Sequence, residues 1–250
     1  MWGAATLAHV APSLDRNNRY MKVELMGDRI RFAYTIFWGQ QPGAQTRQRM
    51  DRNHNGKLER SETEAFKNHI AQSVSDALEV VVDGHPQRVQ WARAHMGLNT
   101  PDTNGGAFSL DLLAWLCLDA PRTRKSHELL LYDSYRLPSP GENELRVHDA
   151  PGITITRSTI GARKTSLLDF RWQGGAAVLA KQGYRLDFTV NPVEAIIGID
   201  DTCKKRQRKL AAASTTAPKH SGSGFPLWLV LAAFAGALAV AGVFVVVRRR

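Results

Sequence analysis

Large apolar residues fall on every second position through the first part of this chain. Ile30, Phe32, Tyr34 and Ile36 alternate with Arg31, Ala33 and Thr35, and just upstream Met21, Val23 and Leu25 alternate with Lys22 and Glu24. Successive side chains of a strand point to opposite faces, so each run predicts a strand with one face buried. Gly27-Asp28 lies between the runs and suits a two-residue hairpin turn. The same reading predicts a second hairpin over Leu78 to Trp91, turning at Asp83-Gly84. Further strands are predicted at Phe108 to Leu118, His127 to Tyr132, Glu144 to His148, Ile153 to Ile160 and Tyr184 to Val190. Pro and Gly punctuate the gaps. Residues 9–200 are therefore expected to form a mainly β domain, built as a two-sheet sandwich.

Helical periodicity is confined to about residues 42–76. Pro42 suits a first helical turn, and Gly43 to Met50 predict a short helix. Ser61, opening Ser-Glu-Thr-Glu, is expected to head a second helix that carries Ala65, Phe66, His69, Ile70, Ser73 and Val74 near one face. A helix-loop-helix inserted in a β domain follows.

The loop between those helices carries the chain's clearest chemistry. Residues 51–62 read Asp-Arg-Asn-His-Asn-Gly-Lys-Leu-Glu-Arg-Ser-Glu. A hard cation such as Ca²⁺ takes six to eight oxygen donors, and a chain curling around it turns alternate residues inward. Asp51, Asn53 and Asn55 supply side-chain oxygens, and Lys57 offers its backbone carbonyl. Glu59 acts through a water and Glu62 through both carboxylate oxygens. Gly56 stands at the sharp turn, where a residue without Cβ is least strained. Leu58 ligates nothing but can pin the loop to a core. A solvated turn would also favour Asp, Asn and Gly. The whole spacing, with Glu62 at its end, arises by chance in a chain this long on the order of once in ten thousand times. Through Asp51, Asn53, Asn55, Gly56, Leu58 and Glu62 the segment resembles the calcium loop of EF-hand proteins. The inner Asn pair, with Arg52, His54, Lys57 and Arg60 nearby, weakens the pull on a cation. The expected dissociation constant is about 10⁻⁴ to 10⁻³ M. No second loop of this type occurs in the sequence.

The other end of the chain bears on location. Phe225 to Val247 contains no charged residue and is followed by Arg248-Arg249-Arg250. A run this long predicts a membrane-spanning helix. Basic residues stay on the cytoplasmic side, which makes 248–250 a cytoplasmic tail and places the body outside, in a periplasmic or extracellular setting. The competing reading is a tail-anchored protein whose body is cytoplasmic. Residues 1–8 read as the remnant of a signal peptide with small residues at Thr6-Leu7-Ala8, which implies that translation starts further upstream. Cleavage there would leave His9 as a chelating amino terminus for Ni²⁺ or Cu²⁺.

Charge changes the picture in one respect. Of the formal charge of +10, residues 201–250 hold +8, nine Lys or Arg against Asp201 alone, so the first 200 residues carry only +2. A near-neutral body argues against nucleic acid as a partner. The basic run Lys204 to Lys209 and the Ala, Ser, Thr and Gly residues after it predict a flexible linker over 201–224. Cys117 lies in an apolar stretch and is expected as a buried free thiol, although an oxidising compartment would permit a bridge to Cys203. Sequence motifs of hydrolases, zinc enzymes and nucleotide-binding loops are absent, and the eight histidines are scattered. An enzyme is not expected.

Two further resemblances concern the context of the domain. A His-led start, Asn18-Arg19-Tyr20 opening a strand, a hairpin, a helix and then the calcium-type loop resemble the extracytoplasmic N-terminal domain of bacterial nickel/cobalt efflux-type membrane proteins. That resemblance covers about the first 90 residues. It implies an exported accessory domain of an envelope metal-transport system. The order of Ser221-Gly222-Ser223-Gly224, apolar span and arginines resembles bacterial surface-sorting tails, with permanent anchoring as the expectation. The sequence thus predicts a calcium-binding, single-pass membrane protein of the bacterial envelope, structural or engaging an envelope protein or polymer.

Overall fold

The alternation read from sequence is carried through as burial. In the computed structural model, which describes residues 15–119, 126–148, 150–159, 162–163, 169–198 and 202–204, every large apolar residue named above in the first hairpin is buried. The elements in chain order are β1 (Asn17–Leu25), β2 (Arg29–Trp38), α1 (Gln40–Met50), α2 (Arg60–Ala77), β3 (Leu78–Val82) and β4 (His85–Pro86). They continue as β5 (Trp91–Gly97), β6 (Phe108–Cys117), β7 (Ser126–Asp133), β8 (Pro140–His148) and β9 (Ile153–Ser158). Last come β10 (Ala162–Arg163), β11 (Asp169–Gln173), α3 (Ala176–Lys181) and β12 (Tyr184–Val190). The expected signal remnant, the linker from residue 205, the apolar span and the basic tail lie outside the described residues. Among the described residues no helix is long and apolar enough to cross a membrane.

The protein is mainly β, with two sheets. One runs β10-β11-β8-β1-β2-β6-β5 and the other β4-β3-β7-β12-β9. All paired strands are antiparallel except β1 and β8, which run parallel from Arg19↔Asn143 to Glu24↔His148. Their inner faces share one core, with Phe32, Tyr34 and Leu112 from the first sheet and Leu131, Leu186 and Phe188 from the second. Charged groups also cross between the sheets. Arg19 of β1 pairs with Asp133 of β7 at 2.5 Å, both side chains fully buried, and Tyr34 of β2 donates to the same carboxylate at 3.1 Å. Burial pushes the Asp133 carboxyl up and the Arg19 charge opposes that shift.

Four expectations are corrected. Helix is not confined to residues 42–76, because Ala176–Lys181 form α3, whose six residues bury Leu179 alone and are too few to show a helical period. The second hairpin turns at Asp83-Gly84, with φ of 55° and 81°, but its return strand is only His85–Pro86. Trp91 belongs instead to β5, at the edge of the other sheet. The crossing residue, Gln87, is buried and pairs through its amide with the backbone of Cys117, at 2.7 and 3.2 Å, which ties the end of β6 to the crossing chain. Cys117 is no free thiol: it is bonded to Cys203, 86 residues away, with Cα atoms 5.2 Å apart. The chain after β12 returns to the β1–β2 turn, where Gly27 N–H donates to Ile196 and Gly198 N–H to Asp28, and this return sets the two cysteines side by side. Finally, α2 is headed not by Ser61 but by Glu59. The Glu59 carboxylate accepts from the Glu62 N–H and the Glu62 carboxylate accepts from the Glu59 N–H, a capping box made of two acids. The buried face of α2 carries Ile70, Ala71, Val74 and Ser75, leaving His69 exposed.

Candidate metal centre

The helix-loop-helix stands where the sequence placed it, between β2 and β3. Helix α1 ends at Met50, and Asp51 follows as its C-cap with extended backbone. From there the chain curls tightly. His54 and Gly56 take left-handed φ values of 58° and 79°, and the curl returns to Glu59 at the start of α2. The Asp51 carboxylate sits inside this curl, receiving the N–H of Asn55 at 3.1 Å and of Gly56 at 2.9 Å. The amide oxygens of Asn53 and Asn55 each accept an N–H two residues on, while their amide nitrogens converge on one oxygen of Glu59, at 3.2 and 3.0 Å. The Glu62 carboxylate closes the ring, accepting the Arg52 N–H at 2.7 Å and the Glu59 N–H at 3.0 Å.

All six predicted residues are thereby joined in one hydrogen-bonded circuit, Asp51, Asn53, Asn55, Glu59 and Glu62 through their side chains and Lys57 through its backbone N–H, with the Lys57 side chain left in solvent. Asp51 and Glu62 are buried, with 6% and 7% exposure, whereas the polar residues between them face solvent. Leu58 lies in the core cluster, as its apolar character in a polar loop predicted. The N–H groups of Glu59 and Arg52 hold the Glu62 carboxyl below its ordinary value, and the Asp51 charge works in the opposite direction. Two buried carboxylates that repel each other are a natural cation site, because a divalent ion between them converts the repulsion to attraction. Among the described residues, no three His, Cys, Asp or Glu side chains gather closely enough to hold a metal by themselves. The donor set is therefore two carboxylates completed by amide and peptide oxygens, which suits a hard ion and not zinc.

A second loop, unrecognised in sequence, backs the first. Leu58 N–H donates to Pro101 at 2.7 Å and Thr103 N–H donates to Gly56 at 3.1 Å, an antiparallel bridge centred on Lys57 and Asp102. The backing loop is held in turn by Arg47 of α1, which is fully buried and lies over the ring of Phe108 at 5.3 Å. Its guanidinium donates to the carbonyls of Thr100, Gly106, Asp102 and Ala107 at 2.7, 2.9, 3.2 and 3.3 Å. Burial lowers the Arg47 pKa from its ordinary value and the Asp102 charge opposes the shift. The sequence assigns Arg47 no role, and residues 98–107 fall in the gap between the expected strands at Trp91 and Phe108. The only sequence signal was the density of Asn, Asp, Thr, Pro and Gly there.

Beside the loop, α1, α2 and the segment after β7 enclose a cleft of about 290 Å³, whose walls include Trp38, Met50, Phe66, Tyr135 and Glu62. Trp38 in its wall stacks on Phe108 of the first sheet at 4.5 Å and lies 5.6 Å from Phe66 of α2, joining that helix to the sheet. A further buried polar cluster is structural in character. His127 Nδ1 lies 2.8 Å from Asp83, whose carboxylate also receives the N–H groups of Asp119 and Glu128 and so fixes the β3–β4 turn. No protein-family model and no curated protein matches this chain, so what the loop does is argued from its own residues and geometry.

Proposed function

We propose that this chain is a calcium-binding domain of the bacterial envelope, in which one EF-hand loop, inserted in a β-sandwich, takes a Ca²⁺ ion that fixes α1 and α2 against the sheets. Asp51, Asn53, Asn55, the Lys57 carbonyl, Glu59 (through water) and Glu62 hold the ion. The observation that carries the reading is the meeting of Asp51 and Glu62. Residues at the two ends of the loop bring buried carboxylates to one curl whose intervening oxygens have the alternate spacing that Ca²⁺ requires. The role is structural. Glu62 both closes the loop and caps α2, so an ion drawn to it steadies the helix, and binding free energy adds to folding free energy.

The same reading places the domain outside the cytoplasm, tethered to a span at 225–247 with 248–250 inside; the Cys117–Cys203 bond holds Cys203 to the domain, so the tether begins after it, at about residues 205–224 and not at 201. The Cys117–Cys203 bridge supports an oxidising compartment, because such bonds are rare where thiols are kept reduced. The partner is an envelope protein or polymer.

Calorimetric titration of Ca²⁺ into the full chain in detergent, beside Glu62→Gln, tests the proposal. We expect wild-type binding in the range of about 10⁻⁴ to 10⁻³ M and none in the variant. A wild type that gives neither heat nor a rise in melting temperature at several times that concentration would refute calcium binding.

A further inference from the structure

Lys57 contributes a peptide oxygen to the proposed shell, and peptide oxygens are aimed by their own backbone. The Lys57 C=O and the Leu58 N–H belong to one planar trans peptide unit and point in opposite directions. Leu58 N–H is bonded at 2.7 Å to Pro101, so the plane of the ligating carbonyl is set by a residue more than forty positions downstream. The preceding unit is held at both ends as well. Gly56 C=O accepts from Thr103 N and Oγ1, at 3.1 and 3.2 Å, while Lys57 N–H donates to Asn55 at 2.8 Å. A bond donated by the N–H end of an amide also polarises its carbonyl, making the Lys57 oxygen a stronger donor to a cation.

The segment that carries Pro101 and Thr103 is held from its other side by Arg47, through bonds to the carbonyls of Thr100 and Asp102 at one part of the backing loop and of Gly106 and Ala107 at another. We propose that residues 100–107 are the outer half of the calcium site, replacing within one chain the second loop that a single hand otherwise lacks, and that Arg47 and Thr103 are positioning residues for the ion although neither touches it. This rests on the calcium reading above.

The test compares calcium affinity with metal-free stability, using the full chain in detergent. Thr103→Val removes the Oγ1 bond to Gly56 and keeps the side-chain shape. Arg47→Lys keeps the charge but cannot reach carbonyls on both sides of the loop. Outer-shell partners of metal ligands typically carry about ten- to a hundredfold of affinity, so Arg47→Lys should weaken Ca²⁺ binding by about tenfold. Thr103→Val, which loses one neutral hydrogen bond, should weaken it by about fivefold. The melting temperature of Thr103→Val in excess chelator should fall only slightly, by the loss of one hydrogen bond, and a smaller rise on adding Ca²⁺ than in wild type separates positioning of the ligand from general stability. Should Arg47→Lys fail to fold, Thr103→Val decides alone.

The outcomes are distinct. Wild-type binding with unchanged affinity in both variants overturns the outer-half proposal and leaves calcium binding intact. A wild type that takes up no Ca²⁺, judged against Glu62→Gln, removes the calcium reading and the positioning role together.

Discussion

Two loops meet at the Lys57–Asp102 bridge, and they are built on opposite principles. Residues 51–62 hold their shape by their own side chains: Asp51, Asn53, Asn55, Glu59 and Glu62 bond to backbone or amide groups of the same loop. Residues 98–107 draw much of their order from one side chain of another element, Arg47 of α1. The first arrangement writes its chemistry into a short stretch of sequence. The second hides it in a contact between segments more than fifty residues apart.

The largest effect should come from removing the organiser of the second loop. Arg47→Met replaces a buried guanidinium by an apolar chain of similar length and leaves the carbonyls of Thr100, Gly106 and Ala107 without their donor. Buried unpaired groups cost about 1–3 kcal/mol apiece, and partial relaxation makes them less than additive. The expected loss is roughly 3–5 kcal/mol in metal-free protein, read from the denaturant midpoint. A loss near zero would mean that the second loop orders itself.

Gly43→Ala attacks the same contact from the backbone. A Cβ on this residue of α1 would lie 2.5 Å from the Gly106 carbonyl oxygen, so the helix and the second loop must move apart. Overpacking of this kind costs about 1–3 kcal/mol, and calcium affinity should fall with it if the two loops act as one unit. Gly56→Ala tests the first loop. Its Cβ would meet nothing within 4 Å, and the cost is the left-handed φ of 79° alone, about 1 kcal/mol. Thermal unfolding of the two variants in chelator would rank them, and a Gly56→Ala protein less stable than Gly43→Ala would reverse the comparison.

This contrast also explains what the sequence disclosed. Strands such as β2 and β6 were legible because they are central, with one face on the core, so period-two alternation survives in full. β5 was not, because it is a partly exposed edge strand whose register shifts between Trp91 and Arg93. The bounds of β9 and β8 moved by two to four residues, at ends where few side chains are buried. The six loop residues were proposed from local spacing, and the structure gathers them in one curl. Arg47, Pro101 and Thr103 act through contacts made only on folding, and Cys203 meets Cys117 for the same reason. The pairing of the two hairpin arms was readable, whereas the crossing of Gln87 to the other sheet depends on a side chain standing in for a strand.

The smallest expected effect distinguishes the loops by pH. The Glu59 and Arg52 N–H groups hold the Glu62 carboxyl below the ordinary glutamate value of 4.5. A carboxylate with a depressed folded pKa stabilises the fold above its unfolded value, and that contribution disappears as the pH falls through the lower folded value. The stability gap between wild type and Glu62→Gln, measured in chelator, should thus be constant near neutrality and close on acidification below 4.5. Arg47 stays charged throughout that range, so the gap between wild type and Arg47→Met should not change with pH as Glu62 titrates. Parallel denaturant titrations from about pH 3 to pH 7 supply both curves. A Glu62 gap that persisted at the acid end would mean that shape rather than charge holds the first loop. The two loops would then differ in where their partners lie and no longer in what kind of force holds them.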